Sequence, residues 1–182
     1  GYLALMAGCC VEPRPQAIVS FYGYGDIVGD WYSQPDPFYN QQPLVSEEES
    51  GRWLPGPVIS EPYEGRGKDK LYLWCRQNGC WPQVVGGHDL MENSGFFAQY
   101  CPLQNVDKNH PPTLFLHGDN DTDVPYQQSV LMADELSRHG VENRLMTMAG
   151  FGHGFDRDIG SPAVANAFAH VLAFLARHSG TE

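Results

Sequence analysis

The chain has 182 residues, 42% hydrophobic and 18% charged, a composition that can bury a core and fits about one domain. Its formal net charge of −11 excludes typical nucleic-acid binders and ligands of anionic membranes, because both depend on Lys and Arg. No apolar run approaches the roughly 20 residues that a membrane-spanning helix needs. The five cysteines form no C-x-x-C pair, so we expect reduced thiols in packed positions, with a Cys75–Cys80 bridge left open.

The first predicted elements are a short buried helix over residues 1–10 and a buried strand over residues 17–23. The helix is rich in Ala, Leu and Met, whereas the strand is β-branched and aromatic and ends in Gly23. Residues 24–110 are rich in proline and hold all four tryptophans. Connections of this length are usually lids or inserted subdomains. We therefore expect residues 24–110 to form an inserted cap, with a helix over residues 67–77.

Regular periodicity returns after residue 110. It predicts a buried strand over residues 113–117, an amphipathic helix over 126–139, a strand over 143–149 and a helix that begins at Ser161 and Pro162. Ser161 is expected to cap that last helix, whose predicted apolar face consists of Val164, Phe168, Val171, Leu172 and Leu175. Short apolar strands that alternate with helices predict an α/β fold, with a parallel sheet of three strands and flanking helices.

Acidic residues directly follow one of these strands, and a histidine follows another. Asp121 lies in the segment after residues 113–117, and His153 lies in a glycine-rich segment after residues 143–149. The carboxyl ends of adjacent parallel strands meet at one edge of a sheet, about 4.8 Å apart, so Asp121 and His153 can hydrogen-bond. An Asp that orients a His is typical of nucleophilic catalysis. The alternative to a catalytic role is that Asp121 only shapes a turn and that His153 is an exposed loop residue.

Several other polar residues near these two are better explained structurally. We interpret Asp119 and Asp123 as turn residues, His117 as a structural residue at a strand end, and residues 156–158 as a solvated turn. The spacing of Asp119, Asp121 and Asp123 imitates a calcium loop, but the glycine and the glutamate that complete such a loop are absent. The remaining histidines have no metal-ligand spacing. The sequence thus implies neither a metal nor a cofactor.

The C-terminal motifs resemble those of the α/β-hydrolase superfamily, in its esterase and prolyl-oligopeptidase-like branch. The pattern H-G-x-x-D-x-x-V-P begins at His117, the loop G-x-G-H-G begins at Gly150, and the opening G-Y-L-A-L is similar to the helix after the nucleophile elbow. The resemblance implies that Asp121 is the triad acid and His153 the triad base. It also implies that residues 1–182 are a partial hydrolase domain, the C-terminal part of the fold, with the cap at 24–110.

No serine in the sequence stands in a G-x-S-x-G nucleophile elbow. The resemblance then implies that the nucleophile and the oxyanion donors belong to a missing N-terminal part of the same domain. We expect this chain alone to be inactive, and the strand at 17–23 to present an unpaired edge.

Three functions remain open at this point. They are a serine hydrolase that cleaves a small-molecule ester, a peptidase of the prolyl-oligopeptidase type, and a non-catalytic hydrolase-like binding protein. The aromatic residues of the expected cap would suit an aromatic or sugar-linked acyl ester, or would pack on one another: Trp31, Tyr32, Trp53, Tyr72, Trp74 and Trp81. The sequence assigns no compartment.

Overall fold

The structure is a computed structural model, and it describes residues 1–51 and 68–180. Its strands are β1 (Ile18–Phe21), β2 (Thr113–Gly118) and β3 (Asn143–Met148). Its α-helices are α1 (Tyr2–Cys10), α2 (Asp30–Ser33), α3 (Glu47–Ser50), α4 (Lys68–Asn78), α5 (Trp81–Gly86), α6 (Ser94–Ala98), α7 (Gln127–Arg138) and α8 (Pro162–Ser179). Single 3-10 turns occur at Tyr39–Gln41, Pro102–Gln104 and Phe155–Arg157. The fold divides into one unit of residues 1–27 with 98–182 and a second unit of residues 28–97.

The first unit is built on a parallel sheet of three strands in the order β1-β2-β3. Phe115 in the central strand is paired with Ser20 of β1 and Leu145 of β3. Every residue of β2 is buried, as expected for a strand with a neighbour on each side and helices over both faces. The predicted three parallel strands with flanking helices are therefore confirmed. β1 is shorter than predicted because Tyr22, directly after it, has a φ of +37° and leaves the extended conformation.

Two hydrophobic cores lie on opposite faces of this sheet. Alternate residues of β2 point to opposite sides, so Leu114 and Leu116 pack with α8 while Phe115 packs with α1 and α7. The first core also holds Met148, Phe155, Val164, Ala167, Val171 and Phe174. The second also holds Leu5, Ile18, Val106, Met132, Leu136 and Val141. The alternation places His117 on the same face of β2 as Phe115, toward α7.

The last helix differs from the prediction in two respects. The side chain of Ser161 makes no capping hydrogen bond, although Pro162 does begin the helix. The buried face of α8 consists of Val164, Ala167, Val171 and Phe174. Phe168, Leu172 and Leu175, which the sequence assigned to that face, are exposed by 37%, 67% and 39%. Helix α8 thus carries two apolar stripes, and the sheet covers one of them.

The second unit has an aromatic cluster around a buried arginine. Arg76 on α4 is 1% exposed, its guanidinium carbon lies 4.6 Å from the ring centre of Tyr39, and its Nη2 donates to Asp36. The rings of Trp31 and Tyr32 stack at 3.8 Å, and Tyr72 meets Trp81 edge-on at 5.0 Å. Most of the predicted cap aromatics therefore pack on one another. Trp53 lies outside the described residues.

This unit, residues 28–97, falls inside the range 24–110 that the sequence assigned to a cap, and its role as a cap stays a prediction. None of the five cysteines, all of which lie in the described part of the chain, forms a disulfide, so Cys75 and Cys80 are not bridged. Across residues 1–51 and 68–180, no helix has the length and apolarity needed to cross a bilayer.

Candidate active site

The structure brings Asp121 and His153 into contact at the carboxyl edge of the sheet. Asp121 lies in the loop after β2 and His153 in the loop after β3. The Nδ1 atom of His153 lies 2.9 Å from Oδ2 of Asp121, a hydrogen-bond distance. Neighbouring parallel strands end side by side, so residues 32 positions apart in sequence meet here.

Asp121 is held by hydrogen bonds on both of its carboxylate oxygens. Oδ1 accepts the backbone N–H groups of Asp123 at 2.8 Å and Val124 at 2.9 Å, which is an Asx turn. Oδ2 faces His153 and also Nε2 of His117 at 3.3 Å. The side chain of Asp121 is completely buried. Burial alone would raise the pKa of Asp121, but these hydrogen bonds outweigh burial and lower the pKa, so the carboxylate stays ionised.

His153 is more accessible than its partner, with 34% of its side chain exposed. The hydrogen bond to Asp121 raises its pKa, against the smaller opposing effect of burial. A neutral imidazole that donates from Nδ1 has a free electron pair on Nε2, the atom that takes a proton in nucleophilic catalysis. A carboxylate oxygen of Asp123 lies 3.5 Å from Nε2, so Asp123 faces the histidine as well as shaping the turn.

Tyr22 packs against His153 from the end of β1. The two ring centres are 4.2 Å apart, and the Tyr22 hydroxyl donates to Asp156 at 2.7 Å. Burial and this hydrogen bond raise the pKa of Tyr22 to about 12, so the phenol stays protonated. Residues 156–158, interpreted from the sequence as a solvated turn, do lie at a 3-10 turn, and Asp156 in addition accepts this hydrogen bond from Tyr22. Sequence reasoning overlooked Tyr22 because it placed this residue inside the strand predicted over residues 17–23, whereas β1 ends at Phe21.

The structure also shows the contacts of Asp119 and His117, which the sequence assigned to structural roles. Asp119 is exposed and accepts the backbone N–H of Gly150 at 2.6 Å, in keeping with a turn role. His117 is buried at the end of β2, as predicted, but it also contacts Asp121, which the sequence did not indicate. Within the described part of the chain, no three His, Cys, Asp or Glu side chains are grouped so that they could hold a metal ion.

Comparison with known proteins identifies a family. Residues 81–182 match the model of the prolyl oligopeptidase family. The chain is 25% identical to the non-reducing polyketide synthase ausA of Aspergillus calidoustus over 188 aligned residues, which cover 82% of this chain and 8% of the synthase. It is 32% identical to Esterase LipC of Mycobacterium tuberculosis H37Rv over 77 residues, covering 41% of this chain and 19% of the esterase. The chain thus spans only a small part of these relatives.

Solved structures share the fold. A protein of unknown function from Staphylococcus aureus Mu50 superposes with a TM-score of 0.74 at 21% identity, covering 97% of this chain and 61% of the other. An alpha/beta hydrolase superfamily protein from Enterococcus faecalis gives 0.64 at 22% identity, covering 90% and 55%. The similarity confirms the α/β-hydrolase fold and shows that this chain corresponds to part of it.

Proposed function

The chain belongs to the prolyl oligopeptidase family, and from that premise we propose that it supplies the acid and the base of a serine hydrolase that cleaves carboxylic esters. In this proposal Asp121 is the triad acid and His153 the base. The observation that carries it is the 2.9 Å contact between Oδ2 of Asp121 and Nδ1 of His153. During catalysis, Nε2 of His153 takes the proton of a serine hydroxyl, and the Asp121 carboxylate stabilises the imidazolium that forms.

The serine in this proposal comes from polypeptide outside the 182-residue sequence, which contains no G-x-S-x-G elbow. Two surfaces of the first unit are suited to receive that polypeptide. β1 pairs with β2 on one side only, among the described residues, and leaves its other edge open. The exposed stripe of α8 adjoins this edge, because the rings of Phe168 and Phe21 are 5.6 Å apart. Further strands and helices of the same domain would cover both surfaces.

Ester cleavage is proposed from the similarity to an esterase, while an acylamino-acid-releasing enzyme of Oryza sativa subsp. japonica is similar to the same extent, 31% identical over 78 residues. The aligned 77 residues of Esterase LipC are 32% identical to this chain. Both reactions pass through the same acyl-enzyme chemistry, so the two loops described above serve either of them. A peptidase of the prolyl-oligopeptidase type is the alternative that the family membership keeps open.

The experiment begins with the reading frame upstream of the Gly1 codon. If that frame encodes a G-x-S-x-G elbow, the longer protein is expressed and assayed with p-nitrophenyl esters and with peptide p-nitroanilides. We expect ester turnover, and a loss of about 10⁴-fold in kcat for Asp121→Asn and more for His153→Gln. Turnover that survives His153→Gln contradicts the proposal. A frame without an elbow favours a non-catalytic binding protein.

A second candidate is suggested by the extent of one alignment. The match to the polyketide synthase ausA spans 82% of this chain, twice the share matched by the esterase. Here the chain would be part of a polyketide synthase and would release an acyl product from a thioester by the same acid–base pair. Two substrates separate the candidates: ethyl benzoate and the N-acetylcysteamine thioester of benzoic acid. The rate measured with each is corrected for uncatalysed hydrolysis. A thioester preference above about tenfold, or roughly 1.4 kcal/mol, favours the second.

A further inference from the structure

His117 is completely buried, and the structure gives partners to both of its ring nitrogens. Nδ1 lies 2.7 Å from the hydroxyl oxygen of Ser129 on α7. Nε2 lies 3.0 Å from the carbonyl oxygen of Val124 and 3.3 Å from Oδ2 of Asp121. One histidine therefore joins the central strand, a helix and the loop that carries the proposed triad acid.

The partners determine where the proton of His117 is. A carbonyl oxygen and a carboxylate can only accept hydrogen bonds, so Nε2 must carry a proton and donate to them. Nδ1 can then accept from the Ser129 hydroxyl. The side chains of His117 and Ser129 are both buried, where an unpaired polar group is destabilising. The neighbours thus select one tautomer and one ring orientation.

The donor of His117 completes the set of hydrogen bonds around Asp121. Two backbone N–H groups occupy Oδ1, and His153 and His117 share Oδ2. Because Nε2 also holds the Val124 carbonyl, the same ring fixes the backbone at the far end of the turn. With four donors in place, the carboxylate has no freedom to rotate away from His153.

We propose that His117 is a positioning residue for Asp121: its Nε2–H holds Oδ2 and the 121–124 turn in the orientation that His153 needs. This inference rests on the proposed function, because it takes Asp121 and His153 as the acid–base pair. A positioning role differs from a purely structural role at a strand end. A purely structural role would stabilise the fold but leave the pKa of His153 unchanged.

Two substitutions of similar polarity separate these roles. In His117→Gln, the amide nitrogen reaches about the position of Nε2 and can still donate to Asp121 and Val124. In His117→Asn, the amide lies nearer the position of Nδ1, so it keeps a partner for Ser129 and loses the donor to Asp121. The readout is the pKa of His153 in the 182-residue chain, measured by NMR titration of labelled imidazoles. The His153 resonance is assigned from a His153→Gln sample.

We expect His117→Asn to lower the pKa of His153 toward its ordinary value of about 6.5, and His117→Gln to leave it raised. Equal values in the two variants overturn the proposal, as does a rise in His117→Asn. If a variant does not fold, the ¹⁵N chemical shifts of His117 in the wild-type protein test the proposal, because they report which ring nitrogen carries the proton. A proton on Nε2 supports the proposal, and a proton on Nδ1 alone overturns it.

The same titration of Asp121→Asn separates this inference from the proposed function. If Asp121→Asn leaves the pKa of His153 raised, the acid–base pair itself is refuted. If Asp121→Asn lowers that pKa and His117→Asn does not, the pair stands and the positioning role of His117 is refuted.

Discussion

The carboxylate of Asp119 accepts the backbone N–H of Gly150 at 2.6 Å, and so ties the loop after β2 to the loop after β3. The backbone N–H of Asn120 donates to the carbonyl of Phe151 at 3.1 Å, a second link between the same two loops. These links do not involve Asp121 or His153. They bring the two loops close enough for the side chains of those residues to meet.

Gly118 ends β2 beside the backbone of Phe151 in the loop after β3, and we predict that it tolerates no side chain. A Cβ atom at this position would lie 2.1 Å from the carbonyl oxygen of Phe151. Gly118→Ala should therefore separate the loops, lower the free energy of unfolding by about 1–3 kcal/mol and lower the pKa of His153. Gly152→Ala is the matched control, because its Cβ would lie 3.6 Å from the nearest atom, Asn120 O. Urea unfolding and NMR titration measure both effects; equal behaviour of the two variants contradicts the prediction.

Tyr22 and Asp156 should stabilise the fold jointly. A hydrogen bond to a charged acceptor typically contributes about 1.5–3 kcal/mol, and partial exposure places Tyr22→Phe at the lower end of that range. In a double-mutant cycle with Asp156→Ala, we expect a coupling energy of roughly 1 kcal/mol. Chemical denaturation of the four proteins gives this value. Additive losses would mean that the 2.7 Å contact contributes nothing to stability.

The Asp121–His153 pair predicts how stability depends on pH. The pKa of His153 is raised in the folded state, so its contribution is complete below about pH 6.5 and is lost as pH rises through the folded pKa. The free-energy difference between wild type and Asp121→Asn should therefore be larger at pH 6 than at pH 8. Asp119→Asn is the control, since it removes a charge from the same loop and keeps an oxygen that can accept from Gly150.

The comparison between wild type and Asp121→Asn also cancels the effect of His110, whose protonation changes stability in the opposite direction. Burial lowers the pKa of His110, which makes folding less favourable at low pH in every variant alike. A difference between wild type and Asp121→Asn that is the same at both pH values contradicts the prediction.

The exposed stripe of α8 should make the isolated chain self-associate. Leu172 is 67% exposed and lies in one stripe with Phe168 and Leu175. Exposed apolar patches of this kind promote association. Leu172→Lys should lower the sedimentation coefficient measured at high concentration, whereas Ala173→Lys adds the same charge beside the stripe and should not. Monomers at all concentrations in the wild-type chain would be evidence against an uncovered interface.

The 182-residue chain by itself should not turn over activated esters. Loss of a triad nucleophile costs on the order of a million-fold in kcat. Hydrolysis of p-nitrophenyl acetate should therefore be equally slow in the wild type and in Asp121→Ala. A wild-type rate that scales with enzyme concentration and falls in Asp121→Ala would show a nucleophile within this sequence.

The sequence determined the order and type of the elements that build the sheet. Strands β2 and β3 and helix α7 lie within one residue of their predicted bounds, and α8 begins at Pro162 as predicted, because apolar periodicity and a proline at a helix start are local signals. The sequence also placed Asp121 and His153 at one edge, since parallel strands joined by a helix end on the same side.

Tertiary packing decided what local patterns leave undetermined. Helix α8 has enough apolar residues for two stripes, and the neighbouring strands select Val164, Ala167, Val171 and Phe174 for burial. The contacts of His117 with Asp121 and Ser129, and of Tyr22 with His153, join residues from different elements. Periodicity describes one element at a time, so such contacts are fixed only when strands and helices pack against one another.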